Sequence, residues 1–145
     1  MSELFTLRPA IAADKPLLDT YTYAEGMDNI PDVAGVTVAV NADDVPVGFI
    51  RIVQDAEGVA HIYPIVTYAP WRGSGVGRVL VEDALATYGE LRLVSRGSSR
   101  GFYETLGFEP CSWSLIGEGM SEDCPHCSWR EECAPCPMRK APGRS

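Results

Sequence analysis

Basic charge is in short supply in this chain of 145 residues, where 12 lysines and arginines face 20 aspartates and glutamates for a net charge of −8. That deficit excludes strong nonspecific attraction to nucleic acid or an anionic membrane and favours cationic partners, an amine among them. Long apolar runs are missing too. No stretch approaches the length that crosses a bilayer, and Glu3, Arg8, Asp14, Lys15 and Asp19 break up residues 1–20, so the apolar core of a secretory signal cannot be drawn there. A cytoplasmic protein is expected. Cysteine is sparse: there are five, an odd number, and four of them crowd into residues 124–136. This argues against a secreted disulfide framework and for a metal site in a reducing compartment. Two familiar phosphate-binding signatures are also lacking. No Gly-Lys-Ser or Gly-Lys-Thr occurs, which excludes a P-loop, and a dinucleotide fingerprint begun at Gly73 would need a glycine where Arg78 stands.

What is present is a β-rich run, Ile62 to Tyr68, that enters a glycine-rich turn and then a helix. Glycines at 73, 75 and 77 let successive backbone N–H groups turn inward, and a helix start adds unpaired N–H groups and a positive dipole end. Such a cradle suits a pyrophosphate. The pattern that fits is R-x-x-G-x-G, carried by Arg72, Gly75 and Gly77. Preceded by a strand, it resembles motif A of the GCN5-related N-acetyltransferases (GNAT). Gly101-Phe102-Tyr103-Glu104-Thr105-Leu106-Gly107-Phe108 is similar to motif B of the same family. The two motifs stand in order, about thirty residues apart, and the resemblance covers roughly residues 3 to 116.

The length suits one core. Phe5 to Arg8 reads as a strand, and Ile11, Leu17, Leu18 and Tyr21 as one face of a helix fading near Gly26. Val36–Val40 and Val45–Val53 flank a turn and read as a hairpin. His61 to Tyr68 is the central strand, although Pro64 cannot donate a ladder bond. Val76 to Tyr88 has helical spacing with Gly89 as its stop, and Leu91 to Ser95 is a strand reached by a right-handed crossover. One further strand, Phe108 to Leu115, is expected, with no clear strand after it. The resemblance implies an α/β fold of the acyl-CoA N-acyltransferase type, a mixed central sheet flanked by helices. Residues 1–117 form that domain, and residues 118–145 a cysteine-rich metal-binding tail.

The resemblance also implies acetyl transfer from acetyl-CoA to a primary amine in a direct ternary complex. In it, Ile65, Val66 and Thr67 contact pantetheine and the acetyl carbonyl through their backbones. Arg72, Gly73, Ser74, Gly75, Val76, Gly77 and Arg78 bind the pyrophosphate. Tyr103 takes the place of the phenol that protonates the departing thiolate, a group that stays protonated at neutrality. His61 is the candidate base because imidazole titrates in the right range; a water chain or Glu25 is the alternative. Glu25 and Asp28 lie where the family shapes its acceptor pocket and suit an ammonium group. Arg96 departs from the pattern, since relatives often carry asparagine there. A noncatalytic acyl-CoA-binding or sensing module is the alternative.

Cys124, Cys127, Cys133 and Cys136 form paired C-x-x-C knuckles that can converge four thiolates on a structural Zn2+. An iron-sulfur cluster or a pair of redox dithiols uses the same ligands. Such a tail secures the C-terminus or offers a surface to a second copy or a protein partner.

Overall fold

The computed structural model describes residues 5–25, 29–95, 100–116 and 136–140. The chain divides into two compact units, one of residues 1–52 with 64–84 and the other of residues 53–63 with 85–145.

In the first unit, β1 (Thr6–Pro9) pairs antiparallel with β2 (Val36–Val40), placing Thr6 opposite Val40 and Pro9 opposite Thr37. β2 in turn pairs antiparallel with β3 (Pro46–Gln54), with Val38 opposite Phe49. The β-branched residues of β2 and β3 suit the pleat, and the turn between them has its own chemistry. Asn41 Oδ1 accepts N–H bonds from Asp43 and Val45, while Asp44 adopts the left-handed region at φ 64°.

Helix α1 (Lys15–Ala24) has Pro16 in its first turn, where a missing N–H costs nothing. It therefore starts later than the spacing predicts, and Ile11 stays outside it, 56% exposed. Arg8 grips both oxygens of Asp14, and the Ile11 N–H also bonds to that carboxylate. These bonds, the guanidinium's first, hold Asp14 below the usual carboxylate range despite its burial. Leu18 and Tyr21 pack from α1 into a core with Val36, Val38, Phe49 and Val66.

The second unit holds the first half of β4 (Ala60–Thr67), β5 (Leu91–Ser95), α3 (Arg100–Thr105), β6 (Glu109–Pro110) and β7 (Cys136–Lys140). β4 and β5 run parallel, as a crossover through α2 (Val76–Tyr88) demands, with His61 opposite Arg92. β7 is antiparallel to both β5 and β6. Hydrogen bonding thus follows the order β1-β2-β3-β4-β5-β7-β6, a mixed seven-stranded sheet.

Two sequence expectations require correction here. A final strand does exist, and the strand foreseen over Phe108–Leu115 shrinks to Glu109–Pro110, followed by a 3-10 turn at Trp113–Leu115 that Ser112 caps. Pro137 and two cations disguise β7 in the sequence. In the fold the cations are satisfied: Arg139 Nε bonds to Glu90 at 3.2 Å, and Lys140 Nζ bonds to the Leu106 carbonyl at 2.6 Å. Met138, which precedes them, is fully buried. Burial alone would raise the Glu90 carboxyl, but hydrogen bonds from Arg92 and Arg139 outweigh it and leave the group below its ordinary range.

No helix among the described residues is long and apolar enough to cross a membrane.

Candidate functional site

The end of β4 delivers the chain into the glycine turn. Val66 is buried and Ile65 and Thr67 are half-buried. A 3-10 turn over Ala69–Trp71 follows, made possible by Pro70 in its first turn, and ends with the Arg72 N–H bonded to the Ala69 carbonyl at 3.0 Å. Gly73 and Gly75 then take φ of 86° and 88°. A side-chain carbon on either would meet no atom of the described residues within 4 Å, so among these residues glycine is required by the backbone rather than by crowding, and the space over the turn is open.

The first bond of α2 runs from the Val79 N–H to the Gly75 carbonyl at 3.0 Å. Backbone N–H groups at Gly75, Val76, Gly77 and Arg78 therefore come before any intrahelical acceptor. Together with the helix dipole they make a binding place for an anion. Arg78 leans toward Glu82 at 3.9 Å, with both side chains more than half exposed, so the guanidinium remains available.

Gly48 of β3 explains how this edge is built. A side-chain carbon there would come 2.7 Å from Val76 Cγ1 and 3.1 Å from the Val66 carbonyl oxygen. Close approach of β3 to the end of β4 depends on that glycine. Nothing in the sequence beyond a glycine inside a strand hinted at it.

Helix α1 also meets this segment, through two contacts of matching spacing. Tyr21 stacks on Tyr68 with centroids 5.0 Å apart and planes inclined by 22°, and its hydroxyl donates to the Pro46 carbonyl at 2.8 Å. Four residues on, just past the end of α1, Glu25 forms an ion pair with Arg72. The sequence assigned Arg72 to the cofactor and Glu25 to the acceptor. The structure brings them together.

The second unit carries the other candidates. Tyr103 is buried in α3, its ring edge-on to Phe102 and Phe108 at 5.1 and 5.6 Å. Burial pushes its phenol well above the ordinary value, so the proton is retained. Gly107, at φ 96°, closes α3 with its N–H on the Glu104 carbonyl. His61 is fully buried, with Nδ1 3.0 Å from the Val59 carbonyl oxygen, so Nδ1 carries the proton of that bond. Such a setting suits a packed strand residue better than a base that must trade protons with solvent. At the end of β5, the buried Ser95 hydroxyl has no hydrogen-bond partner among the described residues. No motif pointed to it.

Cys136 begins β7 opposite Ser95, with a partly exposed thiol. Cys124, Cys127 and Cys133, like Asp28 and Arg96, lie outside the described residues. Among the described residues, no group of three or more histidines, cysteines and carboxylates is placed to hold a metal ion.

A model of the acetyltransferase (GNAT) family matches residues 5–108. The chain is 42% identical over 88 residues to the peptidyl-lysine N-acetyltransferase YjaB of Escherichia coli K12, a match covering 59% of this chain and 56% of that protein. The chain thus spans little more than half the length of this curated relative. Among solved structures it is similar to N-acetylglutamate synthase from Neisseria gonorrhoeae complexed with coenzyme A and N-acetyl-glutamate. There the TM-score is 0.77 at 15% identity, covering 97% of this chain and 35% of that one. Rv2747 from Mycobacterium tuberculosis, in complex with CoA, gives a TM-score of 0.77 at 13% identity, covering 94% of this chain and 98% of the other. At such identities the structural likeness concerns the fold.

Proposed function

Because the chain belongs to the acetyltransferase (GNAT) family, we propose that it transfers an acetyl group from acetyl-CoA to a primary amine in a direct ternary complex. The observation that carries this reading is the glycine turn, with two left-handed glycines open above and a helix start behind them. Its N–H groups and Arg78 hold the pyrophosphate, Arg72 adds a guanidinium, and the backbone of Ile65, Val66 and Thr67 aligns the pantetheine and acetyl carbonyl. The neutral amine attacks the thioester carbonyl, the carbon–sulfur bond breaks, and the thiolate takes a proton from the Tyr103 phenol. With His61 packed away, a water chain serves as base. Lysine side chains are the first acceptors to test, since the Escherichia coli relative is a peptidyl-lysine N-acetyltransferase.

The test follows release of free CoA with single-lysine peptides, peptides with free N-termini, glutamate and polyamines. Turnover is expected with at least one class. Tight acetyl-CoA binding with no turnover on any class would replace this reading with a noncatalytic acyl-CoA module, which the burial of His61 favours.

The reading includes a structural zinc on Cys124, Cys127, Cys133 and Cys136, in a segment of residues 118–145 that follows the acetyltransferase domain in the cytoplasm. The paired C-x-x-C spacing supports it, as does the partly exposed Cys136 thiol at the start of β7. When bound, the metal would contribute folding energy and no catalytic step. Purified protein should contain one zinc per chain, and its removal should lower Tm by roughly 10 °C or more. Visible absorbance would mean an iron-sulfur cluster instead, and a metal-free chain indifferent to chelators would leave only dithiols.

A further inference from the structure

Strand β7 reaches back to the helix that carries Tyr103. Helix α3 is six residues long, too short to persist in water by itself, so the groups that close its end decide where Tyr103 stands. The closure is a Schellman motif. The Phe108 N–H bonds to the Tyr103 carbonyl at 3.1 Å and the Gly107 N–H to the Glu104 carbonyl at 3.0 Å, with Gly107 left-handed and the Phe108 ring edge-on to that of Tyr103. Tyr103 is therefore held twice, at its carbonyl and at its ring. Thr105 Oγ1 donates to the Phe102 carbonyl at 2.6 Å. The Leu106 carbonyl, just past the last helical residue, takes its donor from outside α3: Lys140 Nζ on β7, 2.6 Å away.

Lys140 is built for this place. It projects from a strand that pairs with β5 on one side and β6 on the other, opposite Leu91, two residues from Met138, which lies opposite Leu93. Opposed residues share a face of the sheet, so the end of α3 is tied to the face that buries Leu91, Leu93 and Met138. The lysine stem runs close over Gly107, where a side-chain carbon would come 2.9 Å from Nζ and 3.3 Å from Cε. Its ammonium ends at a helix C-terminus, where positive charge is favoured.

From this geometry we infer that Lys140 is a positioning residue for acetyl transfer, completing the cap of α3 and so fixing the Tyr103 phenol. This rests on the reading above, in which that phenol protonates the departing thiolate. Without the ammonium the Leu106 carbonyl loses its donor, the end of α3 frays, and Tyr103 lies three residues from the break. A proton donor displaced by a fraction of an ångström still lets both substrates bind, but transfers its proton less often.

The test is Lys140→Met, which keeps an apolar stem over Gly107 and removes the ammonium, made with tyrosine and with phenylalanine at position 103. With Tyr103 present, kcat should fall about tenfold while KM for acetyl-CoA and for the amine stays within about twofold. In the Tyr103→Phe background the same substitution should change kcat by less than about twofold, because the group it positions is already gone. Lys140→Arg, which keeps a cationic donor for the carbonyl, should retain kcat within about threefold of wild type. Melting curves accompany each variant, and if Lys140→Met does not fold, Lys140→Gln takes its place in the same cycle. Full kcat in the variant, an equal loss in both backgrounds, or no recovery with arginine overturns the inference. The two readings fail separately: a Tyr103→Phe enzyme with full kcat sinks the role of the phenol, whereas a deficient Tyr103→Phe enzyme beside an unaffected Lys140→Met variant sinks only the positioning.

Discussion

Replacing Tyr103 by phenylalanine is expected to lower kcat for acetyl transfer by about a hundredfold while leaving the acetyl-CoA Kd within twofold of wild type. The argument begins with the ring. Phenylalanine fills the same space between Phe102 and Phe108, so packing in α3 is preserved and the change is confined to one hydroxyl. That hydroxyl is the proposed proton source for the departing thiolate, and a positioned general acid contributes at least two orders of magnitude. Burial raises the phenol's pKa, so its proton is present at neutrality and stays in place as pH climbs past ~10, where an exposed tyrosine would lose it. The deficit of the variant should therefore be flat between pH 6 and 9. Steady-state kinetics across that range decide the matter; a variant with full kcat, or a deficit that disappears toward pH 9, removes Tyr103 from the chemistry.

A second large effect is expected at Gly75, where valine should weaken acetyl-CoA binding by about a hundredfold or more. At φ 88° a β-branched residue is strained, and the turn will relax toward a conformation that no longer aims its N–H groups at one point. The side chain would also project into the space proposed for the pyrophosphate. Losing two charge-assisted hydrogen bonds, each worth roughly 1.5 kcal/mol, accounts for that factor. Calorimetric titration with acetyl-CoA measures it, alongside a melting curve to show that the protein remains folded. An unaltered Kd in a folded variant would mean that the turn does not hold the cofactor.

The parts of the fold that were legible in the sequence are those with strong local periodicity or backbone demands. Val76 to Tyr88 declared a helix by its spacing, the β2–β3 hairpin by its β-branched runs, and the glycine turn by residues that only a left-handed backbone needs. β7 was hidden because its five residues comprise a cysteine, a proline, two cations and one apolar side chain. The burial of Met138 and the bonds of Arg139 and Lys140 are tertiary facts. His61 illustrates the same limit, since a histidine on a strand looks alike whether it faces a substrate or a core. The pairing of Arg72 with Glu25 spans 47 residues of sequence, and no local pattern encodes it.

The place of β7 also bears on how the protein is made. Strands β5 and β6 flank it, so the chain must first emit both and then return the latest described strand to the slot between them. Until Cys136–Lys140 leaves the ribosome, β5 has an unpaired edge on that side, and Leu93 lacks Met138 opposite it. The last step in folding the second unit thus waits for residues 136–140, and the unit is rich in long-range pairing, which slows it. A nascent chain stalled before residue 136 should be a client for chaperones.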